Sequence, residues 1–211
     1  MNATNSDSDA VGIVLAAGRG SRMRSRIPKP LHTLAGRELI RYPIEALKAC
    51  GVSRIVVVAS PDNRDAMVRV LGDEVVCAVQ GSPDGTADAV ACGLKALPVV
   101  PRMVVVLAGD TPLVRPESML KLMEDHQTDP HRRMTILSAA DAFGPDLGHI
   151  RRAGGGATGG TGMVLGIEEA ADRAEICYGP AEVNTGVYCF DGLGWTTASA
   201  QFRPLLLANA T

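Results

Sequence analysis

Short runs of Val, Ile, Leu and Ala alternate along this chain with segments whose apolar residues recur every three to four positions. Val11–Ala16, Arg54–Ala59, Val75–Val79, Met103–Ala108 and Met134–Ala139 have the length and β-branched content of buried strands. Met103–Ala108 has no polar position, as a central strand covered on both faces requires. Between the runs lie helical patterns. Leu39–Cys50 puts Ile40, Ile44 and Leu47 on one face and is stopped by Gly51, with Pro43 near its start. Asp62–Leu71 begins at Pro61 or Asp62. Ala87–Leu97 aligns Ala87, Val90, Ala91, Leu94 and Leu97, and Pro116–His126 opens on Pro116 and Glu117. Strand and helix in strict alternation predict an α/β fold: a Rossmann-like, mostly parallel sheet with helices on both faces. Beyond residue 140 the pattern weakens. Gly154, Gly155, Gly156, Gly159, Gly160 and Gly162 predict a flexible, exposed loop, and Val183–Phe190 a further strand. With no repeat and no linker, the 211 residues divide into a loose polar tail, 1–10, and one domain, 11–211.

Composition narrows the partners. Lys and Arg number 21 against 23 acidic residues, a net charge of −2, so a generally basic nucleic-acid-binding surface is excluded. Aromatics are 3% of the chain, too few for a base-stacking platform. The apolar runs are far too short to span a bilayer, and the polar start has no signal-peptide pattern. Five cysteines without a CxxC pair fit reduced, buried thiols in a cytoplasmic protein. The histidines at 32, 126, 131 and 149 are scattered and give no metal-ligand spacing.

The charge is unevenly placed. Between Ala10 and Arg37 there is no acidic residue, but there are Arg19, Arg22, Arg24, Arg26 and Lys29. Gly18 and Gly20 in the same loop allow a tight turn whose successive N–H groups form an anion nest. A cationic loop in an acidic protein points to a polyphosphate ligand. Neither GxGxxG nor GxxxxGK[ST] occurs, which argues against dinucleotide binding and P-loop hydrolysis. Strand Met103–Ala108 runs into Gly109–Asp110–Thr111–Pro112, placing a carboxylate where open α/β sheets bind ligands. Opposite a phosphate loop, Asp110 suits Mg²⁺, which prefers one or two carboxylates plus phosphate oxygens. Gln80 has the paired donors and acceptors of a base reader, and Thr86 suits the cap of the following helix. Asn184 and Thr185 interrupt an otherwise apolar strand and are suited to a polyol.

These residues resemble a family. LAAGRGSRM, PKPLHTLAGR, QGSPDGTADA, LAGDTPL and EVNTGVY occur in the order seen in nucleoside-diphosphate-sugar pyrophosphorylases, and the resemblance covers residues 11 to about 190. It is strongest to the uridyltransferase domain of bacterial N-acetylglucosamine-1-phosphate uridyltransferases. The resemblance implies that Leu15, Ala16, Ala17, Gly18 and Gly20 meet the nucleotide. Arg22 and Lys29 would bind its phosphates and act in catalysis. Gln80, Gly85 and Thr86 would read uracil, and Asp110 would hold Mg²⁺. Gly148, Glu169, Asn184 and Thr185 would receive the amino sugar. The implied reaction joins UTP to a sugar 1-phosphate and releases pyrophosphate, a step of cell-wall precursor and peptidoglycan synthesis.

Departures from the pattern stand beside the match. Ala108 replaces the family's aromatic two residues before the metal Asp, and Leu147–Gly148–His149 stands where the family has GYGR. The 211 residues end before the family's NAQGEYYLTD-like segment, which carries a second metal ligand, so an incomplete carboxy-terminal part is expected. The Leu205–Leu207 cluster then predicts an exposed apolar patch and self-association into a homo-oligomer. Two other readings fit the same residues: a cytidylyl- or guanylyltransferase, and a non-catalytic module that binds nucleotide or sugar phosphate.

Overall fold

In a computed structural model, residues 10–18, 20, 23–82, 84–142, 147–154, 162–169, 181–193 and 195 are described. The amino-terminal tail to residue 9, Arg19, Arg22, Cys177, the glycines at 155, 156, 159 and 160, and Leu205–Leu207 lie outside them. The first half of the chain runs β1 (Ala10–Ala16), a small hairpin of β2 (Thr33–Leu34) and β3 (Arg37–Glu38), α1 (Arg41–Ala49), β4 (Arg54–Ala59), α2 (Arg64–Leu71), β5 (Val76–Val79), α3 (Gly85–Lys95) and β6 (Met103–Ala108). Then follow α4 (Pro116–Gln127), β7 (Met134–Ala142), β8 (His149–Arg152), β9 (Val164–Glu168) and β10 (Ala181–Asp191).

The strongly apolar strands fall where the pattern puts them; the helix starts shift. α1 begins at Arg41, because Pro43 is its third residue and needs no intrahelical donor there. Gly51, at φ +79°, ends it as expected. α2 begins at Arg64, not at Pro61 or Asp62. The cause is Asn63, whose Oδ1 accepts from the Ser60 N–H (2.9 Å) and whose Nδ2 donates to the Ala16 carbonyl (2.8 Å). That pairing turns residues 60–63 back against β1 before a helix can start. α3 begins at Gly85, so Thr86 sits inside the first turn and is not its cap. The β2–β3 hairpin was not anticipated. It turns through Ala35 and Gly36, both at positive φ, and Tyr42 in α1 donates from its hydroxyl to the Leu34 carbonyl at 2.5 Å.

Eight strands form one sheet in the order β5-β4-β1-β6-β10-β8-β9, with β7 paired to β10. β5, β4, β1 and β6 are mutually parallel, and β10 runs antiparallel to β6, β7 and β8. The sheet is therefore parallel in its first half and antiparallel in its second. β8 and β9, flanking the glycine-rich stretch, are strands that periodicity did not reveal; their short segments acquire that state through pairing with each other, Ile150 opposite Ile167. Chain order leads outward from β1 through β4 to β5 and then back across to β6. Neighbouring connections thus leave β1 and β6 in opposite directions and open a crevice at their carboxyl ends.

Both faces are covered. On one, Ile40, Ile44 and Leu47 of the α1 region, Met67 and Leu71 of α2, and Met119 and Leu122 of α4 pack on Val14, Val57, Val105 and Leu107. On the other, Ala87 and Val90 of α3 join Ile13, Val58, Val104, Val106, Tyr188 and Phe190. Glycine sets the closest approach on the first face. A Cβ at Gly12 would lie 2.6 Å from Leu47 Cδ1, so α1 sits directly over bare backbone of β1. We expect Gly12→Ala to cost about 1–3 kcal/mol by overpacking and Leu47→Ala about 2–5 kcal/mol by cavity formation. Because the first fills the space the second empties, the double variant is expected to lose less than the sum of the two. Urea unfolding of the four proteins measures this; strict additivity would rule out direct contact between the sites.

Candidate active site

The crevice between β1 and β6 opens into a cleft of about 560 Å³ lined by Leu15, Ala16, Ala17, Gly18, Gly20, Met23, Lys29, Pro30, Gln80, Gly85, Thr86, Ala89, Ala108 and Asp110. Every described residue singled out for the nucleotide and metal is in that lining; Arg22 lies outside the described residues. Met23, Pro30 and Ala89 were not singled out, and Ala108 only as a departure from the family pattern. They are apolar or small side chains without reactive groups, and tertiary packing brings them into the lining.

The cleft is shaped by backbone bonds at the strand ends. The Gly109 N–H donates to the Leu15 carbonyl at 2.8 Å, and a Cβ on Gly109 would lie 3.1 Å from that oxygen. The Ala16 carbonyl is taken by Asn63. Gly20, at φ +56°, passes so close to the Lys29 side chain that a Cβ there would sit 2.9 Å from Lys29 Cβ. Lys29 opens a short 3-10 turn, Lys29–Leu31, and the Pro30 carbonyl accepts the Ile40 N–H at 2.9 Å, anchoring the turn to the start of α1. The Lys29 ammonium forms an ion pair with Asp110 across the cleft. Both side chains are partly exposed, so the pair itself is worth little, about 0–1 kcal/mol. Its consequence is positional: a cation and a carboxylate face one another where each can exchange the other for a ligand. Among the described residues no group of three or more His, Cys, Asp or Glu gathers for a metal, so Asp110 is a single carboxylate in this cleft.

On the opposite wall, Gln80 is buried and donates from Nε2 to the Gly85 carbonyl at 3.2 Å and to Asp88 Oδ2 at 2.9 Å. Sequence reading missed Asp88; the signal was its place in the first turn of α3, three residues beyond Gly85.

The residues proposed for the sugar divide. Gly148, Glu169 and Asn184 come together. The Asn184 N–H donates to the Gly148 carbonyl at 2.8 Å, and a Cβ on Gly148 would lie 2.8 Å from Glu169 Oε1. The Asn184 amide is held by the Tyr188 hydroxyl, to which Nδ2 donates at 2.7 Å, and by the Gly186 N–H, which Oδ1 accepts at 3.0 Å. Burial pushes the Tyr188 hydroxyl up to about 12, so it stays protonated. Thr185 does not join this group. It donates to the Leu137 carbonyl at 2.5 Å and lines a separate hollow of about 490 Å³ with Thr111, Val114 and Ser118. Adjacent strand residues point to opposite faces; one residue of the pair therefore had to leave the site.

This second half of the sheet is tied together by an ion pair between a buried Glu182 and a partly exposed Arg152. Glu182, in β10, is 4% exposed. Its carboxylate accepts from Arg152 Nε (2.7 Å) and Nη2 (2.6 Å) and from the Ser138 hydroxyl (2.5 Å). Arg152 also donates from Nη1 to the Gly162 carbonyl at 2.8 Å, so β7, β8, β10 and the turn into β9 meet at one point. The Arg152 guanidinium holds the Glu182 carboxyl below its ordinary value of 4.5.

The family model for a MobA-like NTP transferase domain matches residues 12–154. The chain belongs to that family. This transferase domain is 37% identical over 190 residues to the bifunctional protein GlmU of Corynebacterium aurimucosum, covering 87% of this chain and 38% of that protein. It is 36% identical over 202 residues to bifunctional protein GlmU of Pelotomaculum thermopropionicum, covering 96% and 42%. The chain thus spans about two-fifths of the length of these curated relatives. In fold it is similar to a putative glucose-1-phosphate thymidylyltransferase from Bacillus anthracis, solved with sucrose, at a TM-score of 0.67 and 18% identity over 89% of this chain and 73% of that one. With the cleft at the β1–β6 crevice, the domain is a nucleotidyltransferase of the NTP transferase superfamily. No helix among the described residues is long and apolar enough to cross a membrane.

Because Glu182 is buried, removing its partner strands a charge. Arg152→Ala is expected to destabilise the domain by about 3–5 kcal/mol. The folded Glu182 pKa lies below its unfolded value, so its contribution is full above pH 4.5 and is lost as pH falls through the folded value. Glu182→Gln should therefore flatten the loss of stability on acidification below pH 4.5, as read by urea midpoints at successive pH values. A variant that tracks the parent at every pH would remove Glu182 from that role.

Proposed function

We propose that the domain joins UTP to a sugar 1-phosphate of the N-acetylglucosamine 1-phosphate type, giving the UDP-sugar and pyrophosphate. The observation that carries this reading is the Lys29–Asp110 pair facing across the mouth of a glycine-lined crevice. The likeness to the bifunctional GlmU proteins supports the choice of UTP and amino-sugar phosphate over other members of the superfamily. It also supports a place in cell-wall precursor synthesis.

The chemistry needs no general base. A phosphate oxygen of the sugar phosphate, already ionised near neutrality, attacks the α-phosphorus of UTP. The new P–O bond forms as the bond to the bridging oxygen breaks, and pyrophosphate leaves with the electron pair. Catalysis then consists of alignment and neutralisation of charge. Lys29, released from Asp110, meets the α-phosphate or the leaving pyrophosphate. Arg22, from the same cationic loop, is assigned to the same oxygens. Leu15–Gly18 and Gly20 let the nucleotide lie against backbone, and Gln80, Gly85 and Thr86 form the wall for the base. Gly148, Glu169 and Asn184 are the candidate sugar contacts; Thr185 is assigned no part. Asp110 fits Mg²⁺, since a lone, partly exposed carboxylate beside phosphates is the donor set that ion takes. Bound there with nucleotide, the ion would neutralise phosphate charge.

Lys29→Ala is expected to lower turnover about a hundredfold, equivalent to roughly 3 kcal/mol of transition-state stabilisation. Lys48→Ala, which breaks only a partly exposed ion pair with Glu74, should leave it unchanged. Pyrophosphate release from UTP and N-acetylglucosamine 1-phosphate reads both, and equal rates would refute the phosphate role of Lys29. Since Lys29 already neutralises Asp110, Mg²⁺ and UTP should each bind weakly alone and more tightly together in calorimetry. Independent binding would show that Asp110 does not link them.

A further inference from the structure

Gln80 follows β5, with its backbone N–H donated to the Ala59 carbonyl at 2.9 Å and its side chain 5% exposed at the wall of the cleft. Its amide nitrogen has two hydrogens, and both are directed at acceptors: the Gly85 carbonyl at 3.2 Å and Asp88 Oδ2 at 2.9 Å. Asp88 stands in the first turn of α3, where the helix dipole favours a carboxylate. One turn on, the Cys92 thiol also donates to Oδ2, at 3.8 Å. Exchanging the oxygen and nitrogen of the Gln80 amide would press Oε1 against a carbonyl and a carboxylate, so the amide is held in this orientation. Among the described residues Oε1 receives no donor. A free glutamine adapts to either pattern of base edge by rotating its amide; this one presents an acceptor alone.

We infer that Asp88 is a positioning residue that locks the Gln80 amide, so that the base wall accepts a ring N–H flanked by carbonyls and refuses a ring nitrogen lone pair. The inference rests on the nucleotide site proposed above and deepens it. Uracil and thymine both carry such an N3–H and are admitted alike. Cytosine, whose N3 is an acceptor, meets Oε1 lone pair to lone pair. A buried acceptor left facing an acceptor costs about 1–3 kcal/mol, a preference of about fivefold to 150-fold.

The test is calorimetric titration of the intact protein with UTP, TTP and CTP in the presence of Mg²⁺, repeated for Asp88→Asn and Asp88→Ser. Each substitution replaces an obligatory acceptor by a group that also donates, and the second does so with less volume. The unsubstituted protein should prefer both UTP and TTP over CTP by about fivefold or more. In each variant the UTP:CTP ratio should fall at least fivefold, while affinity for magnesium pyrophosphate, which lacks a base, stays the same. If the variants bind pyrophosphate normally and keep the original UTP:CTP ratio, the lock is refuted and the UTP reading survives. Equal affinity of the unsubstituted protein for UTP and CTP would also overturn the lock. Failure of the unsubstituted protein to bind any of the three nucleotides would overturn the UTP reading and the lock with it.

Discussion

Everything at the cleft depends on how closely β1 and β6 run at their carboxyl ends. The two strands are in parallel register up to Leu15 opposite Ala108. The next bond, Gly109 N–H to the Leu15 carbonyl, extends that contact past the end of the ladder. A side chain at Gly109 would sit within 3.1 Å of the carbonyl oxygen and push the strands apart. With the approach maintained, the loop after β1 and the turn after β6 leave from nearly the same point. That is how Lys29 and Asp110, 81 residues apart in sequence, come to face each other. The divergence of chain connections at this junction leaves the crevice uncovered, so the same constraint that binds the sheet together supplies the ligand site.

Two ion pairs illustrate how surroundings determine what a charge does. Lys29–Asp110 is solvated, costs little to separate and holds opposite charges ready for phosphate and cation. In Arg152–Glu182 the carboxylate is buried, held by two bonds from the partly exposed guanidinium and supported by the Ser138 hydroxyl, so Arg152 cannot leave without stranding Glu182. The first pair is suited to exchange and the second to anchoring. The anchored pair lies where the sheet turns antiparallel, and it keeps β8 and β10 in register so that Gly148 and Asn184 meet. Buried amides follow the same logic. Asn63 spends its donor and acceptor on backbone and shapes the end of β1, whereas Gln80, in the wall of the cleft, spends only its donors.

The sequence alone carried the parallel half of the sheet, because its inner strands β4, β1 and β6 are buried on both faces and so read as nearly unbroken apolar runs, and edge strand β5 is apolar too: Arg54–Ala59 and Met103–Ala108 match residue for residue. It also carried the chemistry of the cleft, since glycines, a cation and a carboxylate after successive strands must converge once those strands are parallel. Tertiary structure decided the rest. β8 and β9 are strands only through their neighbours, and no periodicity in four or five residues distinguishes them from loop. Thr185 left the group that Asn184 joined because the pleat sends adjacent side chains to opposite faces, and which face β10 turns to the site depends on its partners. The orientation of the Gln80 amide was equally invisible, for it depends on a carboxylate one helical turn beyond a bend in the chain. Burial leaves its mark on residue type, but the direction of a hydrogen bond is a property of two groups brought together by the fold.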